Sequence, residues 1–285
     1  MNKEQRLALY HTAPYEINVV EEPAPHPGAG EVLARMLLSG ISPGTESLLY
    51  RSQFPHDQPV DQSISTLSNQ FSYPLKYGYS AVGEVIETGS GVNSDWLGRK
   101  IFVFNPHESR FCAGIDQVHP LPEHVSPENA VFLPNMETAV NLVMDGRPIV
   151  AERVFVLGQG LLGLLTTGIL SQFPLEGLIT FDRYPIRREA SIELGASESL
   201  DPEKMTTRQR IKKLFPDGAD LTFELSGSPD TLDRAIEYTG FDGRIVIGSW
   251  YGNKRSPVNL GGAYHRSRIR LISSQVSTIA PGFTG

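Results

Sequence analysis

Cysteine is nearly absent from this chain: Cys112 is the only one among 285 residues. A single thiol excludes an intrachain disulfide and any cysteine-rich zinc module. No local motif surrounds Cys112, so a small buried hydrophobe fits it better than a catalytic thiol. Apolar runs of membrane-spanning length are also missing, and MNKEQRLALYHTAPYE lacks the apolar stretch of a secretory signal. The expected setting is the cytoplasm, away from any membrane. Positive charge is scarce too. The 25 Lys and Arg against 32 Asp and Glu leave a formal net charge of −7, which argues against nucleic acid as the main partner. With 40% hydrophobic and 20% charged residues, the chain is globular and long enough for two domains.

What is present is most informative at VFVLGQGLLGLL (154–165), where a strand-like apolar run enters Gly158, Gly160 and Gly163. Asp182 ends the next apolar run, LITF (178–181). This spacing describes a dinucleotide-binding βαβ unit: Gly158 for the tight turn, Gly160 for close approach of backbone N–H groups to a pyrophosphate, Gly163 for helix–strand packing. Leu161 and Leu162 open the helix whose positive N-terminus would receive the phosphate. Asp182 would accept hydrogen bonds from both ribose hydroxyls of NAD and repel the 2′-phosphate of NADP, so NAD is the first choice. NADP is the alternative, because Arg183, Arg187 and Arg188 could cradle a 2′-phosphate; they equally suit a solvated basic helix start. Ser226, after LTFEL, and Gly248, after GRIVI, are further cofactor candidates at later strand ends.

From about Val125 helix and strand alternate, which predicts a doubly wound parallel sheet with strand order 3-2-1-4-5-6. The strands are VFVL, LITF, ESL (198–200), LTFEL (221–225), GRIVIGSW (243–250) and RIRLISSQV (268–276); helices fall on IRREASIEL, RQRIKKLF and TLDRAIEY. The first part is mostly β, with runs at RLALYH, EINVVE, EVLARMLL, SAVGEVIETG and RKIFVF broken by glycine and proline. In EVLARMLL, Val32, Ala34, Met36 and Leu38 alternate onto one face. The boundary is placed between 124 and 125. The polar stretch Arg51 to Ser72 reads as a long loop.

Together, SGISPGTE (39–46), YPLKYGYSAVGEVIETGSGV (73–92), LGQGLLG (157–163), FELSGSP (223–229) and ISSQVS (272–277) resemble the medium-chain dehydrogenase/reductase superfamily, which includes the zinc alcohol dehydrogenases. The resemblance implies a GroES-like N-terminal domain followed by a Rossmann domain. Within it, the SGISPGTE and YGYS elements look like the bacteriochlorophyllide a dehydrogenase subgroup. That implies oxidation of a secondary alcohol to a ketone, with a bulky tetrapyrrole-like alcohol as one substrate.

The departures bear on metal. Where zinc members carry a cysteine this chain has Ser42, and their Gly-His-Glu element is Gly78, Tyr79 and Ser80; in the third ligand region, FLPNMETAVN, only Glu137 offers a hard ligand. Serine and tyrosine hydroxyls are poor zinc ligands, so no zinc is expected. His11, His26, His56, His107, His119, His124 and His265 show no i, i+4 pairing on a helix, and each suits a hydrogen-bonded loop or core position better than a ligand role.

Without metal, the partial alkoxide of alcohol oxidation needs other donors. Ser42, Thr45 and Tyr79 are the candidate hydroxyls, with Glu46 behind them. Tyr79 is the best single proton donor; by resemblance Thr45 matches the family's relay hydroxyl and Glu46 its supporting acid. Pro43 is an extra residue in that element. Thr45 and Glu46 also fit a simple helix start, and Tyr79 an aromatic core position. Two further readings stay open: a zinc-free quinone or enone reductase, and a cofactor-binding protein with little or no catalysis. The superfamily pattern continues past STIAPGFTG with a return segment that this chain is expected to lack. A partner chain would then cover apolar surface, and RIRLISSQV resembles the edge strand through which relatives form homodimers.

Overall fold

A computed structural model describes residues 5–54, 71–276 and 278–283. Most of the expected loop from Arg51 to Ser72 lies outside the described residues. The chain divides into two compact units, Met1–Pro134 and Asn135–Gly285; the expected boundary lay at 124/125, before the short helix α2 (Pro127–Ala130), which belongs to the first unit.

The first unit is antiparallel β. Strands β1 (Gln5–Ala13) and β2 (Glu16–Pro23) form a hairpin, with Tyr15 at φ 65 in its tight turn. The two-residue strand β4 (Leu75–Lys76) extends it to a sheet of order β2-β1-β4. The second sheet, β7-β3-β5-β6-β8, contains β3 (Glu31–Ser39), β5 (Ala81–Thr88), β6 (Lys100–Val103), β7 (Arg110–Gly114) and β8 (His119–Pro120). Val32 and Ala34 of β3 enter a core with Ala81, Val85, Ile101 and Phe111, and Met36 packs against it. Leu38 leaves that face for a second cluster around Val82 and Phe102, because the pairing with β5 shifts register between Met36 and Leu38. Helix α1 (Pro43–Tyr50) starts on proline, whose fixed φ suits a first helical turn.

The second unit is a six-stranded parallel sheet of order β11-β10-β9-β12-β13-β14. In chain order these are β9 (Arg153–Leu157), β10 (Gly177–Phe181), β11 (Glu198–Leu200), β12 (Ala219–Glu224), β13 (Thr239–Ile247) and β14 (Arg270–Ser273). Numbered from β9, the order is 3-2-1-4-5-6, as the helix–strand alternation predicts. Helices α4 (Leu161–Leu170), α5 (Pro185–Glu193), α6 (Met205–Leu214) and α7 (Thr231–Tyr238) make the crossovers, and α3 (Leu133–Gly146) leads in.

The central strands β9, β10 and β12 are covered on both faces, so they are mostly apolar and buried. Phe155 and Leu157 point to one face with Ile179, Phe181 and Ile245, while Val154 and Val156 point to the other with Leu178, Leu221, Phe223 and Val246. Each such side chain, fully buried, contributes about 1.5–3 kcal/mol. That core fixes the carboxyl ends of β9, β10 and β12, where the candidate cofactor residues stand. No helix among the described residues is long and apolar enough to cross a membrane.

Candidate functional site

At the end of β9 the chain turns sharply at Gly158, whose φ is +95. A Cβ there would lie 2.6 Å from the Leu225 carbonyl oxygen, so only glycine fits between β9 and β12. Gly163, one turn into α4, admits no Cβ either: the atom would fall 1.9 Å from the Gly158 oxygen. Gly160 caps α4, and a Cβ on it would meet nothing within 4 Å. The space in front of the helix start is therefore open, and α4 begins there with the backbone donors of Leu161 and Leu162.

Asp182, at the end of β10, closes this turn from the neighbouring strand. Its Oδ2 accepts from the Gln159 amide at 2.8 Å and its Oδ1 from the Tyr184 amide at 2.8 Å. Only 6% of Asp182 is exposed. A carboxylate has about four lone-pair positions, so two amides leave acceptor capacity for ribose hydroxyls. Arg187 Nη1 lies 3.5 Å from Asp182 Oδ2, and the guanidinium groups of Arg187 and Arg183 sit 4.8 and 4.9 Å from the Tyr184 ring centre. Arg188 donates to the Asp182 carbonyl at 2.8 Å, which ties α5 to the end of β10. These residues fit a dinucleotide: a helix start for the pyrophosphate, and a carboxylate with adjoining arginines for the ribose.

In the N-terminal unit, Ser42 caps α1 by backbone position, with no hydrogen bond from its side chain. Its amide instead donates to Glu46 Oε1 at 2.7 Å, so a carboxylate four residues on reaches back to the N-cap amide. Glu46 Oε2 lies 3.1 Å from His107 Nε2, and His107 Nδ1 is 2.8 Å from Ser39 Oγ. The structure thus brings Glu46 to His107, a residue with no functional mark in the sequence because 61 positions separate the two. Thr45 is half-buried on the same first turn. Tyr79 is half-buried beside Tyr77, with ring centres 6.1 Å apart, against the Leu49, Phe54 and Phe71 cluster. Glu137 is exposed on α3, in the second unit.

His11, 2% exposed on β1, has no hydrogen-bond partner on either ring nitrogen among the described residues. Burial pushes its pKa below the usual histidine value; the Glu46 charge works the other way. Arg6, Glu22, Lys76 and Glu108 form a square of ion pairs of 2.7–3.1 Å beside the His107 segment. Burial would raise the Glu22 carboxyl, but the hydrogen bonds from Lys76 and Tyr10 prevail and hold it at about 2. Cys112 is half-buried on β7, and burial followed by the Glu31 charge pushes its thiol up to about 11.

Zinc does not fit the residues at the family's ligand positions. Ser42 is 9% exposed, and Ser80 commits its hydroxyl to the Val131 carbonyl. No cluster of three His, Cys, Asp or Glu side chains suited to a metal forms among the described residues.

Residues 162–281 match the family model of zinc-binding dehydrogenases. L-threonine 3-dehydrogenase of Pyrococcus abyssi is 24% identical over 285 residues, covering 89% of this chain and 78% of the relative. A Sinorhizobium meliloti 1021 protein solved with NADP, and described as a zinc-binding dehydrogenase, superposes with a TM-score of 0.78 at 19% identity over 96% of this chain and 85% of its own. An Escherichia coli CFT073 alcohol dehydrogenase complexed with NADH gives 0.76 at 20% identity over 96% and 84%. Over residues 162–281 the chain is similar to the zinc-binding dehydrogenases, and its fold is theirs across both units. It is accordingly a nicotinamide-dependent oxidoreductase.

In this dehydrogenase one further charged residue adjoins the glycine turn. Glu224 ends the apolar strand β12, is 0% exposed, and accepts hydrogen bonds from Ser226, through its amide at 2.9 Å and its hydroxyl, and from the Tyr251 hydroxyl. Burial, then the Glu224 charge, pushes the Tyr251 phenol far above its usual range. Ser226 is thus tied to Glu224, while Gly248 packs where a Cβ would meet Leu142 at 2.5 Å and Leu225 at 2.7 Å. A lone acid at the end of LTFE was the sequence signal for Glu224.

Proposed function

We propose that this dehydrogenase interconverts a secondary alcohol and a ketone, with NAD as the first-choice cofactor and without a resident zinc ion. The observation that carries the reading is Asp182, a buried carboxylate held across the glycine turn by the Gln159 amide, beside an open helix start. Gly158, Gly160 and Gly163 shape that turn, and Leu161 and Leu162 supply amides to the pyrophosphate. Ser226 and Gly248 border the same strand ends. The name of the Pyrococcus relative, L-threonine 3-dehydrogenase, supports oxidation at a secondary alcohol carbon.

Oxidation removes a hydride from the carbinol carbon and a proton from its hydroxyl; a nicotinamide dinucleotide held by the Gly158–Gly163 turn and Asp182 would supply the hydride acceptor. The chain's own residues handle the oxygen. Tyr79 and Thr45 hydrogen-bond to it, and the Tyr79 hydroxyl relays the proton: in oxidation it passes its own proton on to solvent as it accepts the alcohol's, and in reduction it donates its proton to the carbonyl oxygen and is reprotonated from solvent. Ser42 completes the polar set of the first unit, with Glu46 fixing the helix start from which Thr45 projects; Glu137, on the second unit, is a separate candidate carboxylate. The SGISPGTE and YGYS elements support a bulky, tetrapyrrole-like alcohol as the substrate. A homodimer through β14 accords with its place at the edge of the sheet.

A second reading, NADPH-dependent reduction of a conjugated carbonyl or quinone, draws on Arg183 and Arg187 flanking Tyr184 beside Asp182. Thermal unfolding with each dinucleotide separates the two. A ligand at 100 times its Kd adds about 2.7 kcal/mol to apparent stability. NADH is expected to raise Tm more than NADPH at equal concentration. Equal or larger stabilisation by NADPH would favour the second reading, and no shift with either would remove the cofactor site.

A further inference from the structure

Glu46 underlies the segment to which the proposed reaction assigns its hydroxyls, and both of its oxygens are engaged: Oε1 with the Ser42 amide and Oε2 with His107 Nε2. The two side chains are only 9% and 7% exposed. With Nε2–H donating to the Glu46 carboxylate, Nδ1 is left to accept from the Ser39 hydroxyl. One tautomer satisfies every partner.

The His107 segment is itself held on several sides. The Leu9 amide donates to the His107 carbonyl at 3.0 Å, the His107 amide donates to the Tyr77 carbonyl at 3.2 Å, and the Ser109 amide donates to the Leu7 carbonyl at 2.8 Å. Glu108 is anchored by both Arg6 and Lys76. A Cβ on Gly78 would come within 3.0 Å of both the His107 amide nitrogen and Nε2, so the ring has a wall as well as partners. At the other end, the Ser42 side chain makes no capping bond to α1. The Glu46 bond to the Ser42 amide does the holding there.

We infer that His107 is a positioning residue for the reaction. It fixes Glu46, and Glu46 fixes Ser42 and the first turn of α1, including Thr45. The inference rests on the reaction proposed above, and its physical basis is that a displacement of about 1 Å at a reacting group costs on the order of 10²-fold in rate.

The test compares the unmodified full chain with His107→Leu and His107→Gln. It reads hydrogen exchange at the Ser42 amide, kcat and KM for an alcohol substrate, and the NADH dissociation constant. His107→Leu should speed Ser42 exchange and lower kcat by about tenfold each, the equivalent of one lost charge-assisted hydrogen bond, with NADH affinity unchanged. His107→Gln, which keeps a donor for Glu46 and an acceptor for Ser39, should recover most of both losses.

Unchanged Ser42 exchange in His107→Leu, or a glutamine variant as impaired as the leucine one, overturns the inference. If His107→Leu does not fold, Ser39→Ala removes only the bond to Nδ1; exchange should rise about threefold, and no rise overturns the inference. The reaction itself fails separately, by full kcat in both Thr45→Val and Tyr79→Phe or by no turnover in the unmodified protein, and the exchange result then decides the positioning contact alone.

Discussion

In the C-terminal unit the candidate cofactor residues lie close in sequence, the Gln159 amide and Asp182 being 23 positions apart. In the N-terminal unit, Ser39 and Glu46 meet His107 across 68 and 61 positions. The first arrangement is built mainly from backbone: two glycines that admit no Cβ, a helix start and a carboxylate on amides. The second is built from side chains brought together by two antiparallel sheets and an ion-pair square. Backbone devices constrain residue type at fixed spacing, whereas side-chain devices leave almost no local trace.

The largest effect that would sharpen this contrast lies in the N-terminal unit. Tyr79→Phe and Thr45→Val should lower kcat by about 10²–10⁴ for the main proton donor while leaving NADH affinity nearly unchanged. Steady-state kinetics with parallel NADH titration checks this, and full turnover in both variants breaks it. A smaller effect belongs to the C-terminal unit: Asp182→Ala should weaken NADH by about tenfold or more, the loss of hydrogen bonds to a charged acceptor, and spare NADPH. Calorimetric titration of both dinucleotides reads the difference, and equal weakening of both would remove the ribose role of Asp182.

The smallest effect is a pH dependence of stability in the N-terminal unit. Burial holds the folded-state pKa of His11 below its ordinary 6.5. As pH falls below about 6.5 the unfolded chain takes up the proton first, so stability declines by at most about 1.4 kcal/mol per pH unit until the folded ring protonates. His11→Asn should flatten this slope in melts between pH 7.5 and 5.5. Glu22 acts in a lower window. Its folded pKa of about 2 lies below the ordinary 4.5, so its contribution is full above 4.5 and is lost as pH falls towards 2.

Much of the fold was legible in the sequence. TLDRAIEY gives α7 residue for residue, and the run of strands and crossovers gives the sheet order, because hydrophobic periodicity and glycine punctuation are local signals. Strands without their own periodicity were not legible. The two-residue β4 and β8 and the strand β7 exist because β1, β6 and β3 offer edges to pair with. Strand ends also moved. GRIVIGSW predicts 243–250, but β13 runs Thr239–Ile247, since the chain passes directly from α7 into the strand and Gly248 then packs against Leu142 and Leu225. At the candidate site, Thr45 and Glu46 carry a helix-start pattern that α1 adopts, yet the histidine that holds Glu46 could be found only in three dimensions.

The most direct test of metal-independent alcohol oxidation is the initial rate of NAD reduction with a panel of secondary alcohols, measured on protein dialysed against a strong chelator and verified to contain well under one zinc per chain. Turnover at the rate of the untreated enzyme is the expected result. Activity that disappears on chelation and returns with stoichiometric zinc would contradict it.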